Sequence, residues 1–347
     1  MNKVLIRADA SNHTGAGHLM RCVALGQYLR KQGVTVRFVT LTRDSSLREY
    51  LTRQDFEATF LEWAEETCGT AEDIRFMLQQ ITPDTDWVIL DNYYFDYEFQ
   101  KAIRGKGIPL MVVDDHNERM FDADIVLNQA IRAYDLRYEP MRVRKFLLGS
   151  SYVMIRQELI QYARQRTKTM QNVLITLGGS VQEEVCDKII AGVQQVAGYE
   201  LNVKVVSGFS AGGGAGFRDS NPAVKIERCQ ATLDVCPLYD WADLALCAGG
   251  GTCWELCFFG VVGVVGALAS QQVFLVDGLS RSCIFRSVGW YRDILAEDIA
   301  KALQRLLTDS QETGLMRAKA VKLVDGRGTE RIYEAMLELR RDPGAKV

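Results

Sequence analysis

The stretch VLIRADASNHTGAGHLMRC, residues 4–22, decides the reading of the fold. A short apolar run from Val4 to Ile6 passes into a polar loop carrying Gly15 and Gly17, and the loop reaches His18 where an apolar helical pattern begins. Strand, glycine loop and helix N-terminus in that order present a ligand site, because open α/β sheets bind ligands at the carboxyl ends of parallel strands. Two of the three histidines, His13 and His18, lie in this loop, and His116 is the third. Imidazole titrates nearest neutrality, so it is the first candidate for proton transfer.

Outward from this stretch, strand and helix patterns alternate. Strands are expected at 3–6, 34–40, 87–90, 110–113 and 125–127, and helices at 19–32, 47–53 and 72–80. A charged, long-side-chained connector covers 157–171. A second series then places strands at 172–177, 201–206 and 242–247, with helices at 184–196, 254–259, 296–307 and 314–339 and a glycine-rich loop at 208–216. Such alternation predicts βαβ units and parallel sheets. At 347 residues the chain outgrows one core, so two domains are expected. The first, 1–160, is Rossmann-like and carries the histidine loop; the second, 161–347, is also Rossmann-like, and its last helix could return to the first.

A formal charge of −3 supplies no basic surplus for a nucleic-acid backbone, which excludes nucleic acid as an expected partner. None of the nine cysteines forms a C-x-x-C pair, and several sit in apolar runs, so they read as reduced structural thiols. Met1-Asn2-Lys3 leads straight into a strand, so no signal peptide is expected. The longest apolar run, 257–269, contains glycines and falls short of the ~20 residues of a membrane span. A cytoplasmic protein without a membrane span is the expectation.

The first glycine loop reads G-x-G-H, with Met20 where a dinucleotide fingerprint has its third glycine, and no acidic residue ends the second strand. No dinucleotide or other cofactor is therefore expected. His18 reads as a general base at a helix N-terminus, whose field suits a neutral imidazole, with a helix cap as the alternative. His13 is mid-loop, and His116, after Asp114 and Asp115, reads as a surface loop residue. In the second half, Ala248-Gly249-Gly250-Gly251-Thr252-Cys253-Trp254-Glu255 joins a strand to a helix. Successive glycines expose backbone N–H groups to a phosphate, and no lysine makes it a Walker A loop. Glu255 reads either as the partner of Thr252 in a capping box or as a ligand of a ribose diol. The strand-end pairs Asp91/Tyr93 and Asp114/Asp115 could orient a water or a sugar hydroxyl, or could cap turns; nothing completes an oxygen cage for a metal.

These residues resemble the UDP-sugar hydrolases of pseudaminic acid biosynthesis, the PseG/SpsG family, relatives of MurG-type GT-B glycosyltransferases. RADASNHTGAGHLMRC is similar to that family's R-x-D-x-S-x-x-x-G-x-G-H-x-x-R; LDNYYFD, VVDD, DIVLNQ, LLGSSYVMIRQEL, ITLGGS and ADLALCAGGGTCWEL resemble its later motifs. The resemblance implies a GT-B-like α/β fold, two Rossmann-like domains with parallel sheets facing across a cleft. It implies metal-independent, inverting hydrolysis of a UDP-linked 2,4-diacetamido-2,4,6-trideoxy hexose, in a pathway leading to pseudaminic acid and flagellin glycosylation. By this resemblance His18 is the base and Tyr93 lies at the sugar. Asp9, Ser11, Gly15, Gly17 and Arg21 in the first motif, and Gly179, Ser180, Gly250, Gly251, Thr252 and Glu255 in the glycine loops, would bind the UDP-sugar. Gln271 and Gln272, standing where the family has Asn-Gln, would also bind the UDP-sugar, and Val181 stands where the family has Asp. A glycosyltransferase using an acceptor hydroxyl, and a UDP-sugar-binding regulator without turnover, are the alternatives.

Overall fold

Val4, Ile6, Val88, Ile89, Leu90, Met111, Val112, Ile125 and Val126 are all fully buried, the near-continuous apolar pattern of strands covered on both faces. In the computed structural model, which describes residues 1–11, 15–139, 142–162, 169–178, 183–206 and 221–341, they build a parallel sheet of seven strands. These are β1 (Lys3–Ala8), β2 (Thr35–Thr40), β3 (Glu57–Phe60), β4 (Trp87–Asp91), β5 (Leu110–Val113), β6 (Ala123–Asn128) and β7 (Val143–Leu148), in the order β3-β2-β1-β4-β5-β6-β7. A second parallel sheet holds β8 (Asn172–Thr176), β9 (Leu201–Val206), β10 (Val224–Cys229), β11 (Leu244–Ala248), β12 (Val262–Ala267) and β13 (Phe285–Trp290), in the order β10-β9-β8-β11-β12-β13.

The helices of the first series are α1 (Gly17–Lys31), α2 (Ser45–Arg53), α3 (Ala71–Gln80) and α4 (Tyr97–Arg104); α5 (Gln157–Tyr162) begins the passage to the second. There follow α6 (Glu183–Gln194), α7 (Cys236–Trp241), α8 (Gly251–Phe258), α9 (Val273–Arg281), α10 (Ala296–Thr308), α11 (Ser310–Leu323) and α12 (Gly328–Arg341). The chain divides into two compact units, Met1–Gln157 with Gly326–Val347, and Glu158–Asp325. In the first unit α12 starts at Gly328, where a Cβ would stand 2.0 Å from the carbonyl oxygen of Val153, so only glycine fits.

Each sheet reverses its strand order once, between β1 and β4 and between β8 and β11. At such a point the loops leave neighbouring strand ends in opposite directions and open a crevice for a ligand. In the first unit the register aligns Ala8 with Asp91, and Asp91 with Val113, so three loops start side by side.

Several expectations need correction. The helical pattern at 314–339 is two helices, because the chain turns at Gly326 with φ +76°. The apolar run at 257–269 is the end of α8, a turn at Gly260 and the buried strand β12. Among the described residues no helix is long and apolar enough to cross a membrane. The edge strands β3, β7, β10 and β13 mix charged with apolar residues, which hides them from a pattern of continuous burial. His13, Gly179, Ser180, Val181 and the 208–216 loop lie outside the described residues.

Candidate active site

The helix α1 forms because Leu19, Cys22, Val23, Leu25 and Leu29 bury one side of it against the sheet. Its N-cap is Ala16, which makes no side-chain cap, so His18 at the second helical position is not the capping residue. Gly15, at φ +70°, supplies the left-handed turn into the helix, and its N–H donates to the Ser11 carbonyl at 2.8 Å. Among the described residues, added Cβ atoms at Gly15 and Gly17 would meet nothing within 4 Å.

His18 is 5% exposed. Its Nδ1 lies 2.7 Å from Oδ1 of Asp91. The same carboxylate accepts from Arg21 Nε at 2.6 Å, from Arg21 Nη2 at 2.7 Å and from the Cys22 thiol at 3.3 Å. A carboxylate offers about four lone-pair positions, and all of them are engaged. Burial pushes the Asp91 carboxyl up, but Arg21 and His18 outweigh it and hold Asp91 below the ordinary carboxylate range. Asp91 is therefore an acceptor, which places the His18 proton on Nδ1 and leaves the Nε2 lone pair available; Arg21 Nη2 lies 3.1 Å from the same Nδ1, but its two protons go to Asp91 and Asp115. Among the described residues Nε2 has no hydrogen-bond partner.

Arg21 reaches a second carboxylate. Its Nη1 and Nη2 donate to Asp115 at 2.7 and 3.0 Å. Burial lowers the Arg21 pKa, and Asp115 with Asp91 more than restores it, well above its ordinary value. Asp115 in turn is raised by burial but held well below the usual range by Arg21. The Tyr93 hydroxyl donates to Asp115 at 3.3 Å, and its ring stands edge-on to His18 with centroids 4.9 Å apart and planes at 88°. Burial first, and then the Asp115 charge, push the Tyr93 phenol up, so it stays protonated. His116 is a half-buried loop residue: its ring packs 5.7 Å from that of Tyr93, and its Nε2 is buried with no partner among the described residues.

The other first-motif residues divide by exposure. Asp9 is 1% exposed, pairs with Arg7 at 3.0 Å and accepts from the Leu41 N–H at 2.5 Å and from the Tyr94 hydroxyl. Its oxygens engage Arg7, the Leu41 amide and the Tyr94 hydroxyl, which braces the start of the loop. Arg21 is likewise engaged by two carboxylates. Ser11 Oγ donates to Glu65 Oε1 at 2.8 Å, and Asp114 accepts from the Tyr138 hydroxyl at 2.6 Å and the Asn117 N–H at 2.8 Å. Sequence reading set Asp91 and Asp115 at strand ends without assigning them a partner; their separation from α1 by 73 and 94 residues hid the contact.

In the second unit Gly250, at φ −140°, is the N-cap of α8. Thr252 is then the second helical residue, and Glu255 stands in the second turn, so the capping box, one of the two readings of Glu255, does not form. The Tyr239 hydroxyl donates to Glu255 Oε2 at 2.9 Å. The three glycines do different work. A Cβ on Gly249 would meet Val276 Cγ2 at 2.5 Å and the Gln272 carbonyl at 3.0 Å, whereas Cβ atoms on Gly250 and Gly251 would meet nothing within 4 Å. Packing requires the first, and among the described residues nothing crowds the other two. Gln272 Oε1 accepts from the Leu268 N–H at 2.8 Å, and Gln271 Oε1 from Ser270 Oγ at 3.4 Å. Both precede α9 by their position after β12.

Two parallel sheets of this kind define the GT-B class of α/β proteins. Among solved structures, MurG of Acinetobacter baumannii superposes with a TM-score of 0.64 at 16% identity, over 97% of this chain and all of that one. A putative UDP-N-acetylglucosamine 2-epimerase of Listeria monocytogenes gives 0.67 at 13% identity, over 99% and 98%. These likenesses show the fold alone. No protein-family model matches the chain. An uncharacterized protein of Methanocaldococcus jannaschii is 26% identical over 216 residues, 59% of this chain and 42% of that protein. The spore coat polysaccharide biosynthesis protein SpsG of Bacillus subtilis is 22% identical over 352 residues, 96% and 97% of the two chains. The UDP-2,4-diacetamido-2,4,6-trideoxy-beta-L-altropyranose hydrolase of Campylobacter jejuni is 28% identical over 182 residues, 51% of this chain and 61% of that enzyme. The matches thus span less than two thirds of the first and third of these relatives. The resemblance seen in the motifs holds in the names of the second and third.

Proposed function

We propose that this protein hydrolyses a UDP-linked 2,4-diacetamido-2,4,6-trideoxy hexose, releasing UDP and the free sugar with inversion, on a route to pseudaminic acid. The observation that carries the reading is His18 held through Nδ1 by a fully engaged, buried Asp91. Inverting cleavage at an anomeric carbon needs a base on one face to take a proton from water, and a stabilised anion leaving from the other. Nε2 of His18 is that base; Asp91 keeps the ring in one tautomer and faces the charge that appears on it. Such a base contributes about 10²–10⁴-fold. Tyr93, against the His18 ring, presents an aromatic edge and a neutral phenol to the sugar.

The second unit takes the nucleotide. The backbone N–H groups around Gly250 and Gly251 and the N-terminus of α8 receive the diphosphate, stabilising the charge as the bond breaks. Glu255 accepts from a ribose hydroxyl beside the Tyr239 hydroxyl it already holds.

The test is incubation with UDP-diacetamido sugars, following the anomeric proton by NMR and UDP release by chromatography. Release of free sugar with the opposite anomeric configuration, unaffected by EDTA, is the expected result. A product that forms only when an acceptor alcohol is added would make the protein a glycosyltransferase.

A further inference from the structure

Five side chains of the first unit close a circuit. His18 contacts Asp91, Asp91 binds Arg21, Arg21 binds Asp115, Asp115 accepts from Tyr93, and Tyr93 stands edge-on to His18. His18 and Arg21 lie three residues apart on α1 and so share a helix face. Asp91 ends β4, Tyr93 follows in the same loop, and Asp115 follows β5.

We infer that Arg21 and Asp115 form a positioning unit that fixes His18 and Tyr93 relative to each other. Arg21 is the joint. Its planar fork engages both oxygens of Asp91 through Nε and Nη2, and both oxygens of Asp115 through Nη1 and Nη2. Bidentate bonding on two sides holds both carboxylates near the guanidinium plane, a geometry that a lysine, as a point charge, does not impose. Fixing Asp91 fixes the imidazole through Nδ1, which Arg21 Nη2 also approaches to 3.1 Å, and fixing Asp115 fixes the Tyr93 hydroxyl. Charge adds a reason for the arrangement. With a neutral imidazole the two carboxylates outnumber Arg21 by one negative charge, and a proton taken at Nε2 neutralises the cluster. Arg21 and Asp115 are thereby positioning residues for the base, a role that rests on the hydrolytic reading only for its consequence in turnover.

The circuit makes a prediction that simple structural support does not: Asp115, which makes no bond to His18, sets the state of the His18 Nδ1 proton. The probe is the full chain labelled with ¹⁵N-histidine, with His18 resonances assigned by comparison with His18→Asn. In the parent protein His18 should be a single Nδ1–H tautomer with a slowly exchanging proton. In Asp115→Asn, which keeps the side-chain shape, that proton should exchange at least tenfold faster and both tautomers should appear. Arg21→Lys, which keeps the charge and removes the fork, should do the same, and decides the matter if Asp115→Asn fails to fold. A folded variant of either kind that keeps the parent exchange rate and single tautomer overturns the inference. In turnover, Asp115→Asn should lower kcat at least tenfold with UDP affinity unchanged. The NMR arm needs no substrate, so a protein that releases no UDP would refute the hydrolytic reading and leave this test standing.

Discussion

Nδ1 of His18 lies 2.7 Å from Oδ1 of Asp91, across 73 residues of sequence. The contact forms because β1 and β4 are neighbours at the point where the strand order turns, with Ala8 beside Asp91 in register. The loop after one strand then delivers α1 to the end of the other. Nothing local to either residue could produce it.

Replacing the base should remove the chemistry and spare the nucleotide seat. His18→Asn or His18→Ala is expected to lower turnover about 10²–10⁴-fold while UDP binding, measured by calorimetry, stays at the parent level. Near-parent turnover in either variant would remove His18 from the mechanism.

Asp91→Asn acts one step back. The amide cannot accept from all four donors, so the imidazole loses its fixed tautomer and Arg21 keeps only Asp115 as a counter-charge. Turnover should fall about 10²–10⁴-fold, and breaking a buried ion pair should cost about 3–5 kcal/mol of stability. Denaturant midpoints measured alongside rates separate the two effects.

Acid should unfold the first unit through this cluster. Asp91 and Asp115 both have folded pKa values below their unfolded ones, for burial is outweighed by Arg21. Between the unfolded value of about 3.9 and the lower folded values, the unfolded chain binds more protons, so stability rises with pH. The contribution is complete above the unfolded value and is lost as pH falls through the folded ones. Urea midpoints of the parent should therefore drop below about pH 4, and the drop should be shallower in Asp115→Asn. Equal slopes would show that Asp115 is not held ionised by the fold.

The triple glycine should divide into packing and binding positions. Gly249→Ala forces a methyl to within 2.5 Å of Val276, an overpacking that should cost about 1–3 kcal/mol. Gly250→Ala meets none of the described residues within 4 Å, and its φ of −140° suits any residue, so stability should change by at most about 1 kcal/mol. Its UDP affinity should nonetheless fall at least about tenfold, or about 1.4 kcal/mol. A Gly250→Ala protein that binds UDP normally would free this loop from the diphosphate.

Much of this was legible in residues alone, because burial on both faces and helical spacing are local properties. The strands at Leu110–Val113 and Leu201–Val206 match the expected ranges residue for residue, and α1, β4 and α10 agree within a few residues. The edge strands were not legible, since half-exposed positions admit Arg, Lys and Glu. Helix starts also misled. Thr252 and Glu255 have the spacing of a capping box, yet Gly250 caps α8, because the chain must leave β11 through glycines before the helix can begin.

By itself, then, the sequence determined a doubly wound α/β chain with a histidine delivered to a helix start and a glycine loop delivered to another. Tertiary structure alone decided which groups those residues meet. Asp9, alike in type to Asp91, is consumed by Arg7 and the Leu41 amide, while Asp91 and Asp115 converge on Arg21. The reason is that strand order is set by packing whole layers against one another. Residues remote in the chain become neighbours only when the sheet closes, and a carboxylate's role depends on the donors it finds there.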